Sequence, residues 1–216
     1  AGGSAKMGRN KETQAILPLR GKVLNTWEVE RDLLFKNNEV HDIAVAVGVD
    51  PGSSDLSGLR YGKVCILSDA DVDGAHIQVL LLTLFQKHFP ALVAAGNVFV
   101  ARPPLFRVDA PARGRKPPLK MYALDEGELS AILDKLRKEG AREGSWSISR
   151  FKGLGEMSAE QLWDTTLNPD TRRLLRVAVP DLVAAEGMLN QLMGRNEAAA
   201  RRELMELHGD AIEVDI

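Results

Sequence analysis

The chain has 216 residues, a formal net charge of −2, 44% hydrophobic and 27% charged residues, which is the balance of a globular protein of one large or two small domains. A single cysteine excludes an intrachain disulfide. No apolar run is long enough to span a bilayer and Ala1 to Lys6 resembles no signal peptide, so a cytoplasmic protein with no membrane partner is expected. There is no initiator Met, and a fragment of a longer protein is expected.

In chain order, Gly2, Gly3 and Ser4 before Lys6 suit either an anion-binding backbone nest or a flexible end. Ile16, Leu17 and Leu19 predict a short strand interrupted by Pro18, with Arg20 and Lys22 on a loop beside the sheet. Val29, Leu33, Leu34, Val40, Ile43, Ala44 and Val47 recur at three and four, which predicts one or two amphipathic helices broken near Asn37 and Asn38. Residues 51–58, rich in Gly, Ser and Asp, predict a loop. The run Lys63-Val64-Cys65-Ile66-Leu67 lacks alternation and predicts a strand covered on both faces, with Cys65 packed inside it.

That strand leads into Asp69, Asp71 and Asp73. Three carboxylates at every second position repel one another, and the cluster makes most sense around a divalent cation. If strand geometry continues, period two puts alternate side chains on one side, and open α/β sheets hold ligands at the carboxyl ends of their strands. Hard oxygen donors with room for water suit Mg²⁺ or Mn²⁺. An EF-hand is disfavoured, because the twelfth position from Asp69 is Leu80 rather than a bidentate Glu and a strand precedes the loop. A phosphatase with Asp71 as nucleophile and Asp73 as general acid stays open, as does a nucleic-acid enzyme holding Mg²⁺ against a phosphodiester. A solvated acidic turn has no evident use for three like charges followed by Gly.

The apolar residues from Ile77 to Val93 predict a buried helix ended by Gly96, and residues 97–101 predict the next strand, giving a right-handed βαβ unit with His76 near the acids. Arg102-Pro103-Pro104-Leu105 reads as a boundary. Phe106 to Val108 and Leu119 to Leu124 predict a hairpin across the basic loop 109–118. Asp125 predicts an N-cap for a helix stopping near Gly140, and Trp146 to Phe151 a strand. Lys152-Gly153-Leu154-Gly155 reads as a plain turn or a close approach to phosphate. Ser158 caps a helix over 159–167 stopped by Asn168-Pro169, Leu174 to Val179 predicts a last strand, and two helices follow Asp181.

The small net charge hides segregation. Ala1 to Asn25 holds five basic residues against one acidic, and Ala101 to Met121 six against one. Asp181 to Ile216 holds three basic against eight acidic. An acidic flank can offset a basic working face, so DNA is not excluded as a partner.

Five stretches, Ala-Gly-Gly-Ser-Ala-Lys at 1–6, Ile-Leu-Pro-Leu-Arg-Gly-Lys-Val-Leu-Asn at 16–25, Asp-Ala-Asp-Val-Asp-Gly-Ala-His at 69–76, Arg-Pro-Pro-Leu at 102–105 and Arg-Phe-Lys-Gly-Leu-Gly-Glu-Met at 150–157, together resemble the C-terminal half of the B subunits of bacterial type IIA DNA topoisomerases. Thr26 to Val29, Glu39 to Ile43 and Arg60 to Lys63 are more similar to the topoisomerase IV kind than to gyrase. The resemblance covers essentially the whole chain, in order.

It implies an α/β fold: a TOPRIM domain, a Rossmann-like parallel sheet flanked by helices, over residues 1–105 and truncated at its N-terminus, then an α+β tail region over 106–216 packing on it. It implies that Asp69, Asp71 and Asp73 hold Mg²⁺, with Mn²⁺ or Ca²⁺ able to substitute, the third acid acting through water. Lys6, Arg20, Lys22, Asn25, His76 and Lys152 would contact DNA, the segment with Arg20 also lying where quinolone drugs bind, and His76 would be a catalytic candidate. The partner A subunit would supply the attacking Tyr in an A2B2 assembly, since neither Tyr61 nor Tyr122 lies in a matching motif. The function implied is the cleavage and religation core for decatenation and relaxation of DNA in the nucleoid, with ATP used only by the full-length protein. The family's catalytic Glu stands in a Glu-Gly-Asp-Ser motif before Ala1, so the chain alone is expected to be inactive.

Overall fold

The computed structural model describes residues 2–209; Ala1 of the first motif and the acidic Asp210, Glu213 and Asp215 lie outside them. The protein is a mixed α/β chain in the order α1 (Gly2–Gly8), α2 (Arg31–Leu34), α3 (Asn38–Val47), β1 (Val64–Ile66), α4 (Val72–His88), α5 (Pro90–Ala94), β2 (Val98–Ala101), β3 (Phe106–Ala110), β4 (Leu119–Ala123), α6 (Glu126–Lys138), β5 (Ser147–Arg150), α7 (Ala159–Leu162), β6 (Leu174–Arg176), α8 (Leu182–Met193) and α9 (Ala198–His208). It divides into two compact units built from separate stretches. One gathers Cys65–Gln78, Phe99–Leu175 and the residues up to Pro18; the other gathers Leu19–Val64, Val79–Val98 and the residues from Arg176 onward.

Local chemistry accounts for most element ends. Asn37 caps α3 by accepting from Val40 N at 3.0 Å, and Gly48, at φ 82°, ends it in a conformation that disfavours a side chain. Asp125 caps α6 by accepting from Glu128 N, while the Glu128 carboxylate accepts from Leu124 N, both at 2.9 Å. Ser158 and Gln161 form a reciprocal capping box at α7.

Three strands hydrogen-bond in the order β1-β2-β6, and three in the order β4-β3-β5. In the second sheet β3 is antiparallel to both neighbours, with Phe106 opposite Ala123 and Arg150. Alternation along β3 buries Phe106, Val108 and Ala110 against Leu129 and Leu136 of α6. Arg107 and Asp109 point the other way and pair at 2.7 Å. A second core in the same unit joins Ala5 of α1 to Phe151, Leu154, Met157, Leu162 and Leu167.

Several expectations need correction. Gly2, Gly3 and Ser4 form neither nest nor loose end; they lie in α1, which packs so closely on the start of α7 that a Cβ at Gly8 would fall 2.4 Å from the Ala159 carbonyl oxygen. Residues 16, 17 and 19 form no strand, because Pro18 removes a donor and the apolar run is too short to pair. Of β1 only Ile66 is buried, and Cys65 is exposed rather than packed. The helix expected after Gly74, with His76 just inside it, starts slightly earlier, at Val72, because Asp71 caps it. It breaks at Phe89, where Pro90 opens α5. The helix after Ser158 is α-helical only to Leu162 and then widens into a π-helical turn, Trp163–Leu167. The last strand stops at Arg176. The helix expected after Asp181 is present as α8, with Leu182 and Val183 53% and 81% exposed.

In the other unit His88 is buried, with Nε2 3.0 Å from the Thr26 carbonyl oxygen, and its own carbonyl accepts from Gly52 N at 2.6 Å. Burial pushes its pKa below the ordinary imidazole value, outweighing the Thr26 bond, which favours the protonated ring. The unfolded chain therefore holds the extra proton. Stability from neutral His88 is complete above about pH 6.5 and is lost as pH falls from there toward the lower folded pKa. Thermal midpoints should drop between pH 7.5 and 5.5, and His88→Gln should flatten that slope. Gly8→Ala should cost about 1–3 kcal/mol by chemical denaturation, whereas Gly3→Ala, with nothing within 4 Å of the added methyl, should be neutral or stabilise by up to about 1 kcal/mol.

Candidate functional site

Beyond the end of β1 the chain turns sharply into α4. The turn is braced at Ser68, which is buried and accepts from Gln78 Nε2 at 2.8 Å. Asp71 closes it: its Oδ1 accepts from Gly74 N at 2.7 Å and its carbonyl accepts from Ala75 N at 2.9 Å, the geometry of a helix N-cap. Gly74 is required here by space, since a Cβ would lie 2.0 Å from the Asp69 carbonyl oxygen. Asp69 is half-buried, while Asp71, Asp73 and His76 are exposed along the first turns of α4.

The Asp69 side chain is fixed from far along the sequence. Its Oδ1 accepts from Leu154 N at 2.7 Å, across 85 residues. Leu154 opens a 3-10 turn, Leu154–Glu156, and its side chain is buried in the core with Met157, Phe151 and Ala5. The turn is closed by Lys152 N, which donates to Glu156 Oε2 at 2.9 Å. Phe151 N donates to the Leu105 carbonyl oxygen at 2.8 Å, so Arg-Pro-Pro-Leu packs against the same loop. A residual crevice of about 10 Å³ remains between Ala70, Pro103, Pro104 and the Gly153-Leu154 backbone, space for about one water and no organic ligand.

The fold thus brings together four of the five motifs: α1 with Lys6, the acidic turn with His76, Arg-Pro-Pro-Leu, and the loop carrying Lys152. Lys6 and Lys152 are exposed. Arg20, Lys22 and Asn25 belong to the other compact unit and are exposed there. The Asn25 amide donates to the Met193 carbonyl at 2.8 Å and accepts from Trp27 N at 3.1 Å, so it closes its own turn and ties it to the end of α8. A cavity of about 740 Å³ opens between the β3–β4 hairpin and Trp146; it shares no residue with the acidic turn.

Among the described residues no three His, Cys, Asp or Glu side chains, Asp69, Asp71 and Asp73 included, are grouped so as to hold a metal ion by themselves. The donor set fits a different kind of site. Mg²⁺ keeps several waters and takes one or two carboxylates plus phosphate oxygens, and Asp69 and Asp71 are each anchored through one oxygen to a backbone N–H.

Comparison with known proteins bears on the same residues. Residues 1–103 match the Toprim domain and residues 143–206 match the DNA gyrase B subunit, carboxyl terminus. The DNA topoisomerase 4 B subunit of Pseudomonas aeruginosa is 51% identical over 99% of this chain and 33% of its own length; that of Escherichia coli is 48% identical over 100% and 33%. The DNA gyrase B subunit of Thermotoga maritima is 46% identical over 100% of this chain and 32% of its own length. The chain belongs to the family of topoisomerase IV and gyrase B subunits. It spans about a third of the length of these curated relatives. The acidic turn lies within the Toprim match, which ends inside Arg-Pro-Pro-Leu at Pro103, and the loop that holds Asp69 lies within the gyrase carboxyl-terminal match.

For this family member, sequence reasoning missed Gly153, the Leu154 amide and Glu156 as parts of the site. The Gly-x-Gly pattern was the available signal, but a backbone donor leaves no mark in side-chain identity. Among the described residues, no helix is long and apolar enough to cross a membrane.

Because Asp71 caps α4, its removal acts on stability as well as on any ligand. In EDTA, Asp71→Ala should lower stability by about 0.5–2 kcal/mol and Asp71→Asn should retain most of it, as read from urea unfolding. A metal-site test therefore needs the Asn variant as its folded control.

Proposed function

We propose that this chain is the Mg²⁺-holding part of the DNA cleavage and religation core of a type IIA topoisomerase, acting with an A subunit in an A2B2 assembly that decatenates and relaxes DNA. The observation that carries this reading is the Asp69 carboxylate at the end of β1, tied at 2.7 Å to the loop that also presents Lys152. The relatives' names and the shared motifs supply the reaction.

In that reaction a Tyr hydroxyl of the A subunit attacks a backbone phosphorus. The Tyr oxygen–phosphorus bond forms, the bond from phosphorus to the 3′-oxygen breaks, and the Tyr proton leaves to a base. A proton goes to the 3′-oxygen, and religation runs the same steps backwards. A bound Mg²⁺, replaceable by Mn²⁺ or Ca²⁺, would neutralise charge on the scissile phosphate and the leaving oxygen. Asp69 and Asp71 are assigned as its ligands, with Asp73 acting through water. Lys6, His76 and Lys152 are assigned to the DNA backbone beside the metal, and Arg20, Lys22 and Asn25 to DNA from the other unit. His76, on the first turns of α4, is also a candidate proton carrier. ATP is assigned to the complete protein and not to these residues.

An Asp-x-Asp phosphatase is the competing chemistry. It would hydrolyse a small phosphate ester unaided, and it needs a further acidic pair after a strand that the sequence does not offer in the right context.

The B-subunit polypeptide containing this chain, mixed with A subunit, ATP and Mg²⁺, should decatenate linked DNA circles. Asp69→Ala should lower that rate by a factor of about 10² or more, the scale of losing one preorganised electrostatic contributor. Hydrolysis of a small phosphate ester by the chain alone, abolished by Asp71→Asn, would instead establish the phosphatase. DNA affinity should fall linearly with log salt, and Lys152→Ala should reduce the slope by about 1.

A further inference from the structure

We infer that Gly153 and the Leu154 amide are positioning elements for Asp69: the loop at residues 152–156 sets the rotamer of a metal ligand it does not itself supply. The inference rests on the proposed Mg²⁺ site and goes beyond it, because it assigns a role to groups that touch neither metal nor DNA.

The first observation is the hydrogen bond. Leu154 N donates to Asp69 Oδ1 at 2.7 Å, short for an N–H donor and characteristic of a charged acceptor. It fixes one carboxylate oxygen and leaves the other to face elsewhere.

The second observation is space. Gly153 has φ −167° and ψ 171°, an extended backbone open to any residue. Glycine is therefore not required there by conformation. A Cβ on Gly153 would lie 2.9 Å from Asp69 Oδ1, 3.0 Å from its Cγ and 3.3 Å from Oδ2. The missing side chain is the volume the carboxylate occupies.

The third is rigidity. The Leu154 side chain is 3% exposed in a packed core, and Glu156 closes the turn on Lys152 N at 2.9 Å. The donor cannot follow a displaced carboxylate. The three atoms nearest a methyl at 153 all belong to the Asp69 carboxylate, the end of a side chain and not backbone, so the methyl should swing that carboxylate away from Leu154 N while leaving the fold standing. Ligand geometry is disturbed more than stability.

The test measures Mn²⁺ binding by electron paramagnetic resonance, together with the Leu154 amide resonance and the thermal midpoint, in the whole chain and its Asp69→Ala, Gly153→Ala, Glu156→Gln and Gly3→Ala variants. Wild type and Gly3→Ala should bind Mn²⁺ alike, and Asp69→Ala should lose binding. Gly153→Ala should bind about 10- to 100-fold more weakly, the range for losing an outer partner of a metal ligand. Its Leu154 amide resonance should move toward the position it takes in Asp69→Ala. Glu156→Gln, on the exposed side of the loop, should weaken Mn²⁺ by a smaller factor in the same direction; it decides the matter if Gly153→Ala does not fold. Unchanged Mn²⁺ affinity in folded Gly153→Ala, with Asp69→Ala inactive in binding, overturns the positioning role and leaves the metal site. No Mn²⁺ binding by wild type overturns the metal site and this assignment with it.

Discussion

The bond from the Leu154 amide to the Asp69 carboxylate is the constraint on which the candidate site depends. A hydrogen bond to a charged group contributes about 1.5–3 kcal/mol net, and this one links segments 85 residues apart. Its geometry is inherited from apolar packing. Leu154 and Met157 are buried with Ala5, Phe151 and Leu162, so the donor stands where the core puts it. Phe151 in turn is registered by its bond to Leu105, and α1 is held against α7 by the absence of a side chain at Gly8. Four of the five motifs that look like a scattered list in the sequence are one packed body in space, and the half-buried Asp69 carboxylate is held by it.

Three like charges within five residues need relief even before a cation arrives. The backbone provides it. Asp71 accepts from Gly74 N at the start of α4, and Asp73 lies in that helix's first turn, where the partial positive charge of unpaired N–H groups favours an anion. Asp69 is satisfied by Leu154 N instead. For Asp69 and Asp71 the bond ties down one oxygen and so lowers the freedom that a ligand would lose on coordination. Preorganisation of this sort raises affinity by reducing ordering cost, the same logic by which outer partners of metal ligands act elsewhere.

Much of the fold is legible in the sequence because its signals are local. Asp125 announces a cap, Asn37-Asn38 announces a break, and the alternation from Phe106 to Val108 announces a strand, all of which the structure contains, although β3 runs on to Ala110 into the stretch expected to be loop. The departures share a cause, which is that a residue's type does not say what lies beside it. The apolar run around Cys65 cannot by itself say how many of its faces are covered, and in β1 only Ile66 is buried. Asp71 suits a ligand and a cap equally well, and its second role moves the start of α4 to Val72. At the site, the acids are legible by spacing and resemblance. Gly153 is not, since its reason for being glycine is another residue's carboxylate rather than its own backbone.

Under the proposed function the same electrostatics dictate an order of events. Asp69, Asp71 and Asp73 form a negative patch, and DNA presents about one negative charge per 1.7 Å of helix axis. A phosphate brought close to that patch meets repulsion of about 1 kcal/mol per unit pair at 4 Å even in bulk water, and several-fold more where water is excluded. Lys6 and Lys152, on the same compact unit, offset part of that field but supply only two charges on long, solvated stems. The phosphate therefore gains a favourable resting place only once a divalent cation has reversed the local sign. DNA and cation then bind with positive coupling, each raising the affinity of the other by the same factor. The anchored carboxylate matters most at that step, because a ligand free to rotate away would leave the phosphate facing an acid instead of a metal.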